Sequence, residues 1–527
     1  MRGKTHSAVV LVAMTLGAVA YARSQAPSTS SASSTSSTAG QLRQIAYLKA
    51  SNPTEDAHLG CGGTLTGHAG NATAISDDGN TIAIGAPHEN SGARGINGNQ
   101  NDKSSPSSGA VYVFTRRGNT VAQQAYVKAS NPGDGASFGS SVVLSQDGNT
   151  MAVAAYYEAS AATGINGNQN DRSIPEAGAV YIFTRSGNAW SQQAYIKASN
   201  TGNAAVGDGF AEGDQFGYSM ALSSDGNTLA VGAIGEDSAA TGINGDQADN
   251  MANQAGAVYV FSRNGSSWSQ QAYVKSSMTR AGVLFGYSVG LSGNGNTMAV
   301  AEYDADRGKG ALYVVTRSGG VWSHQARIQA ENAENGDSLG YSLAISDDGN
   351  TLVAGAADED CMIPGVNPGP CDKDQPQDNS SGAAYVFVRN GTAWTQQAFL
   401  KSSHPSKEDW FGVRIALSGD GNTVVVGAPN EDSAAKGING KEDDDSAPES
   451  GAVYFFTRSG TTWAQQAFVK GSNTRAGDEF GSSIALSQDG RSMVVGARGE
   501  DSGAKGINGN QTDTTIRDAG AAYLFTR

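Results

Sequence analysis

Short apolar runs alternate with short polar turns along this chain, in a long repeat. One copy, beginning at Phe411, reads F-G-V-R-I-A-L-S-G-D-G-N-T-V-V-V-G-A-P, then a polar loop, then G-A-V-Y-F-F-T-R-S-G and T-T-W-A-Q-Q-A-F-V-K. Apolar runs of this length, bounded by Gly, Asn, Asp and Ser, predict strands. In another copy Phe138–Leu144 and Met151–Ala155 flank the turn Ser145–Thr150. Its Asp-Gly pair supplies the positive φ that a tight hairpin needs. Ala179–Thr184 is β-branched and aromatic, and Trp190–Ala198 alternates after a turn at Arg185–Asn188. Nothing between Gly40 and Arg527 sustains a helical period, so the chain reads as all-β.

The D-G-N-T turn counts the copies. Its first residue is Asp78, Asp147, Asp225, Asn294, Asp348, Asp420 and Asp489, which makes seven units. The spacing is about seventy residues, long for most repeat classes but suited to a propeller blade with one inserted loop. The fourth unit is short, with only E-Y-D-A-D-R-G-K between Ala301 and Gly310. The chain ends on a third strand, Ala521–Thr526, with no fourth after it. The missing phrase stands at the other end, where Gln44–Asn52 matches Gln193–Asn200. The expected fold is therefore a seven-bladed β-propeller of four-stranded blades, closed by the N-terminal strand pairing into the last blade. Closure leaves few strand edges unpaired.

The markers Phe138-Gly139, Phe216-Gly217, Phe285-Gly286, Phe411-Gly412 and Phe480-Gly481, with Gly85-Ala86-Pro87 and Gly427-Ala428-Pro429, resemble the FG-GAP repeats of integrin alpha-subunit propellers. The units look closer still to exported bacterial FG-GAP repeat proteins. The resemblance covers about residues 41–527 and implies a propeller used for binding or adhesion. Integrin propellers hold calcium in an extended first hairpin. The S-x-D-G-N-T turn here is too tight for the six to eight oxygens that calcium takes, so that site does not carry over.

Residues 1–22 read as a secretory signal. Arg2 and Lys4 open it, Ala8–Ala20 is apolar, and Ala20-Tyr21-Ala22 is a small-x-small cleavage site. Residues 23–40 are a Ser/Thr-rich flexible segment. No run reaches membrane-spanning length. A secreted, periplasmic or cell-surface location is expected. Net charge is −15, which disfavours nucleic acid and anionic membranes as partners. Cys361 and Cys371 bracket one loop, where export implies a local disulfide. Cys61 is left over, as a free thiol or an interchain partner.

In an antiparallel blade the 1–2 and 3–4 turns share one face, and the 2–3 and 4–1 loops share the other. All long insertions fall on the second face, where a site is expected. They repeat G-I-N-G-N-Q or a variant after an acidic residue or pair. In the third and sixth copies Glu236, Asp237, Asn244, Asp246, Asp249, Glu431, Asp432, Asn439 and Asp443 are candidate calcium ligands. Asn, Gly and Asp are equally the residues of plain turns that satisfy their own backbone, and both readings stand. Trp190, Trp268, Trp322, Trp394 and Trp463 share one offset before the fourth strand. Their apolar replacements Val121 and Leu42 favour packing between blades over sugar stacking. No nucleophile elbow, phosphate loop or metal-spaced histidine pair is present. The expected function is an exported, non-enzymatic binding module for a protein or glycan. A polysaccharide hydrolase using a carboxylate pair, or a structural envelope protein, are the other readings.

Overall fold

The computed structural model describes residues 41–61, 70–202, 213–369 and 379–527. The signal and tether readings, and Cys371, fall outside these. Seven four-stranded antiparallel sheets are arranged as a propeller, with almost no helix. Blade one holds Thr73–Ile75, Thr81–Ala86, Ala110–Arg117 and Thr120–Val127. Blade three holds Ser219–Leu222, Thr228–Ala233, Ala257–Asn264 and Ser267–Val274. Blade four holds Phe285–Leu291, Thr297–Glu302, Ala311–Ser318 and Val321–Ile328. In blade seven, Phe480–Leu486, Ser492–Ala497 and Ala521–Thr526 are completed by the N-terminal strand Arg43–Leu48, which pairs with the C-terminal one as expected.

The expected strands exist with shifted ends. In blade two the first ladder starts at Val142 rather than Phe138. Gly139, at φ 97°, turns the chain before that ladder, and only its N–H still reaches Ala154 O, at 2.9 Å. The fourth strand stops at Ile196, because Lys197 N leaves the ladder and donates to Gly164 O in the inserted loop.

The S-x-D-G-N-T turns are closed units. In the first, Ser76 Oγ donates to Asp78 Oδ1 at 2.6 Å, and the Asn80 and Thr81 N–H groups donate to Asp78 Oδ1 and Ser76 Oγ, both at 2.9 Å. Burial opposes ionisation of Asp78, but the hydrogen bonds from Ser76 and Asn80 outweigh it and hold the carboxyl below its usual range. On the same face, backbone N–H groups donate from blade to blade around the axis. Asp77 donates to Gln146, Gln146 to Ser224, Ser224 to Gly293, Gly293 to Asp347, Asp347 to Gly419 and Gly419 to Gln488, all at 2.9–3.0 Å. The core sits between adjacent sheets, where the inner faces of two neighbouring blades interlock.

Candidate functional site

The loop face is organised by a buried polar node that recurs in six blades. Three residues past the second strand, a Glu turns inward. A Lys at the end of the fourth strand meets it. The pairs are Lys49–Glu500, Lys128–Glu89, Lys197–Glu158, Lys275–Glu236, Lys401–Glu359 and Lys470–Glu431, at 2.5–3.0 Å and with every lysine side chain fully buried. In blade three Glu236 also accepts from Tyr273 Oη at 2.6 Å, Ser238 N at 3.2 Å and, from the preceding blade, Asn200 Nδ2 at 3.1 Å. Burial pulls the Lys275 ammonium below its ordinary range despite the carboxylate beside it. Such a node is stable only because nearly every donor and acceptor is matched.

The G-I-N phrase is a strap over the outer strand. Ile96, Ile165, Ile243, Val366, Ile438 and Ile507 each form a bridge to the fourth strand of their own blade. The following Asn takes left-handed backbone, φ 57° at Asn244, a conformation Asn tolerates better than most side chains. Asn244 N donates to Tyr273 O at 2.7 Å, and Asn244 Oδ1 accepts from Tyr273 N at 3.0 Å. The strap thus pairs an edge that would otherwise be open.

The tryptophans staple neighbouring blades. Trp322 Nε1 donates to Gln271 Oε1 of blade three at 2.8 Å, and the Arg317 guanidinium lies 5.2 Å from the Trp322 ring centre. The same arrangement holds at Trp190, Trp268, Trp394 and Trp463. These rings are packing groups, as the register implied.

Along the axis a cavity of about 310 Å³ runs between the seven first strands. Tyr287, Tyr341 and Arg414 line it at the loop-face end. Around them Tyr156, Tyr157, Tyr218 and Tyr303 complete an aromatic cluster contributed by blades two to five.

A repeat model described as "FG-GAP repeat" matches residues 322–387, 394–456 and 463–525. Each match runs from the outer strand of one blade through three strands of the next, the same phase that the N-terminal strand completes in space. Three FG-GAP repeats and the seven-bladed fold fit an FG-GAP propeller. No curated protein matches it. Such a propeller is typically a non-enzymatic binding fold, often extracellular. Among the described residues no helix is long and apolar enough to cross a membrane.

The FG-GAP motif has a physical basis here. A Cβ on Gly355, the Gly of the Gly-Ala pair in blade five, would stand 1.9 Å from the carbonyl oxygen of Gly412 in the Phe-Gly of blade six. The two glycines let adjacent blades close on the axis. Leu59-Gly60 and Leu339-Gly340 fill the Phe-Gly place in blades one and five, as their parallel bridges to Gly520 and Gly310 show. A motif search that insists on Phe misses both.

The candidate calcium residues are brought to one face but not to one point. Glu236 and Glu431 are held by Lys275 and Lys470 in the buried nodes. Asp237 Oδ1 accepts from Gln254 N at 2.8 Å, and Asp432 Oδ1 from Glu449 N at 2.9 Å. Asn244 and Asn439 face Tyr273 N and Phe468 N. Asp246 accepts from Ala248 N, and Asp249 from Ala239 N and Met251 N. Asp443 is exposed, 3.5 Å from Lys441. Among the described residues no three His, Cys, Asp or Glu side chains form a metal cage. Cys361 is buried and disulfide-bonded, and Cys61 is buried, which pushes its thiol to a higher pKa.

Proposed function

We propose that this FG-GAP propeller is an exported binding module that engages a protein or glycan through its loop face. One observation carries the reading: the two faces differ in kind. The turn face is made of hairpins whose polar groups bond each other. The loop face carries every insertion, the aromatic cluster at the axis and the irregular blade four. Rigid frames with variable loops on one side are how binding surfaces are built. Export rests on the basic-apolar-small pattern of residues 1–22. A disulfide between Cys361 and Cys371 fits that compartment. The insertions serve as straps and turns, since most of their candidate oxygens are met by backbone N–H groups and those of Glu236 and Glu431 by buried lysines.

The test is to display the labelled mature chain on glycan arrays and on cell surfaces. Charge reversals at Arg280 and Arg307 on the loop face are then compared with Asn80→Arg and Asn227→Arg on the turn face. Loss of binding only from the turn-face variants would sink the proposal. Turnover of a polysaccharide that one carboxylate substitution abolishes would replace it with a hydrolase.

A further inference from the structure

Blade four rewrites every member of the node at once. Ala305 stands where the other blades have Glu, Gln329 where they have Lys, Arg327 where they have Tyr or Phe, and Met278 where most have Asn. The strap is gone, and the link from Tyr303 to Lys309 contains only a short turn. Arg327 holds the register position of Tyr273 in blade three. Tyr273 bonds its strap through both N–H and C=O, and Lys275 through its N–H. The matching groups of Arg327 and Gln329 have no hydrogen-bond partner among the described residues, and both residues are half-buried rather than covered. This leaves an open strand edge in a protein that closes the other six.

What surrounds the edge is also distinctive. A notch of about 520 Å³ is lined by Arg280, Asp306, Arg307, Lys309 and Asn335. Arg280 and Asp306 also border a gap too small for a water beside Glu302, which is only 3% exposed and whose Oε1 has no hydrogen-bond partner among the described residues. Asp306 is held by Arg327 at 2.6 Å and Arg280 at 3.7 Å. Arg307 and Lys309 line the same notch, Lys309 Nζ donating to Ala333 O at 3.1 Å, so cations gather there in a chain whose net charge is −15. Asp306 and Arg307 are both left-handed, at φ 53° and 69°, which costs about 1–2 kcal/mol each. Strain of that kind persists where a site needs a particular backbone.

We propose that the blade-four edge docks an extended acidic segment of a partner protein, which lies where the strap lies in the other blades. Backbone groups of the segment pair with Arg327 and Gln329, and an acidic side chain meets Arg280, Arg307 and Lys309. Strand addition supplies affinity through the backbone, and the charged rim selects the sequence. The inference rests on the loop-face reading above and narrows it to one sector.

The probe is a fluorescent synthetic peptide copying residues 236–249, the acidic strap of blade three, titrated against the mature chain by anisotropy. Saturable binding is expected below about 1 mM, the effective concentration an attached strap enjoys. Arg307→Glu, at an exposed position, should weaken it tenfold or more, as should Asn244→Ala in the peptide. Grafting the blade-three strap in place of residues 303–309 should abolish it. No saturable binding, or binding that the graft leaves unchanged, would overturn the proposal. Binding of labelled polygalacturonate in place of the peptide, lost in the same variants, would reassign the notch to a glycan. If the graft spares binding to a partner that still maps to the loop face, this inference fails while the loop-face reading stands.

Discussion

Replacing Lys275 by Met removes the ammonium from a node that water does not reach. Lys275 Nζ lies 2.6 Å from Glu236 Oε2, and the two side chains are 0% and 1% exposed. Removing one partner of a buried pair costs about 3–5 kcal/mol, because the remaining charge is stranded. Glu236 would keep Tyr273 Oη, Asn200 Nδ2 and Ser238 N as donors, which places the expected loss at the lower end, about 3 kcal/mol. Glu236→Gln with Lys275→Met should recover at least half of that, since no net charge is then left buried. Urea unfolding checks it, as a shift of midpoint at constant slope. Blade four is the internal control. Gln329 Nε2 donates to Asp306 Oδ2 at 3.0 Å and Gly310 O at 3.3 Å, half-buried and without a buried glutamate to strand, so Gln329→Met should cost less, about 1 kcal/mol. A Lys275→Met loss below 1 kcal/mol, or a double variant no better than the single one, would refute the node as a device that holds the blade together.

Asn439→Gly keeps the left-handed strap backbone and loses the bond to Phe468 N, for about 1 kcal/mol. Asn439→Ala adds the backbone strain and should cost about 2 kcal/mol in the same denaturation assay. Burial pushes Asp214, Asp337 and Asp478 up to about 7 and Asp409 up to about 8. These groups hold protons in the native state that the unfolded chain releases near pH 4, so their contribution is complete below pH 4 and is lost as pH rises through 7–8. His88, pulled down to about 4 by burial, acts the opposite way below its ordinary value. Melting temperature should therefore fall between pH 6.5 and 8.5, and Asp409→Asn should flatten that fall, by up to about 1.4 kcal/mol per pH unit. A profile unchanged by the substitution would contradict it. Calcium or chelator should leave the melting temperature of the mature chain unchanged, and a rise with calcium would reinstate the insertions as a metal site.

The propeller was legible because each blade is specified locally. The Asp-Gly turn and the β-branched third strand follow from residues near in sequence, and the offset N-terminal strand from its match to the fourth-strand phrase of the other units. The tryptophans were legible too, because Val121 and Leu42 in the same slot marked it as apolar. The glutamates of the insertions were harder. Glu236 and Asp237 stand beside Asn244, Asp246 and Asp249 in a loop that has a calcium-like composition. Nothing local tells that Glu236 turns inward to a lysine 39 residues on. The repeat held that signal, since Glu and Lys recur together in six units and vanish together in the fourth.

What the sequence determined by itself is the number of blades, their strands, the closure and the face that carries insertions, since these depend on periodicity and turn chemistry. Tertiary structure alone decided what the polar groups do. It pairs a buried Glu in six blades with a Lys from the same blade and, in blade three, an Asn from the preceding one. It spends the insertion oxygens on backbone N–H groups, and it leaves the blade-four edge of Arg327 and Gln329 without a strap. The physical reason is that a hydrogen bond requires contact within about 3 Å. Glu236 and Lys275, 39 residues apart, are brought that close only when the four strands of the blade have packed.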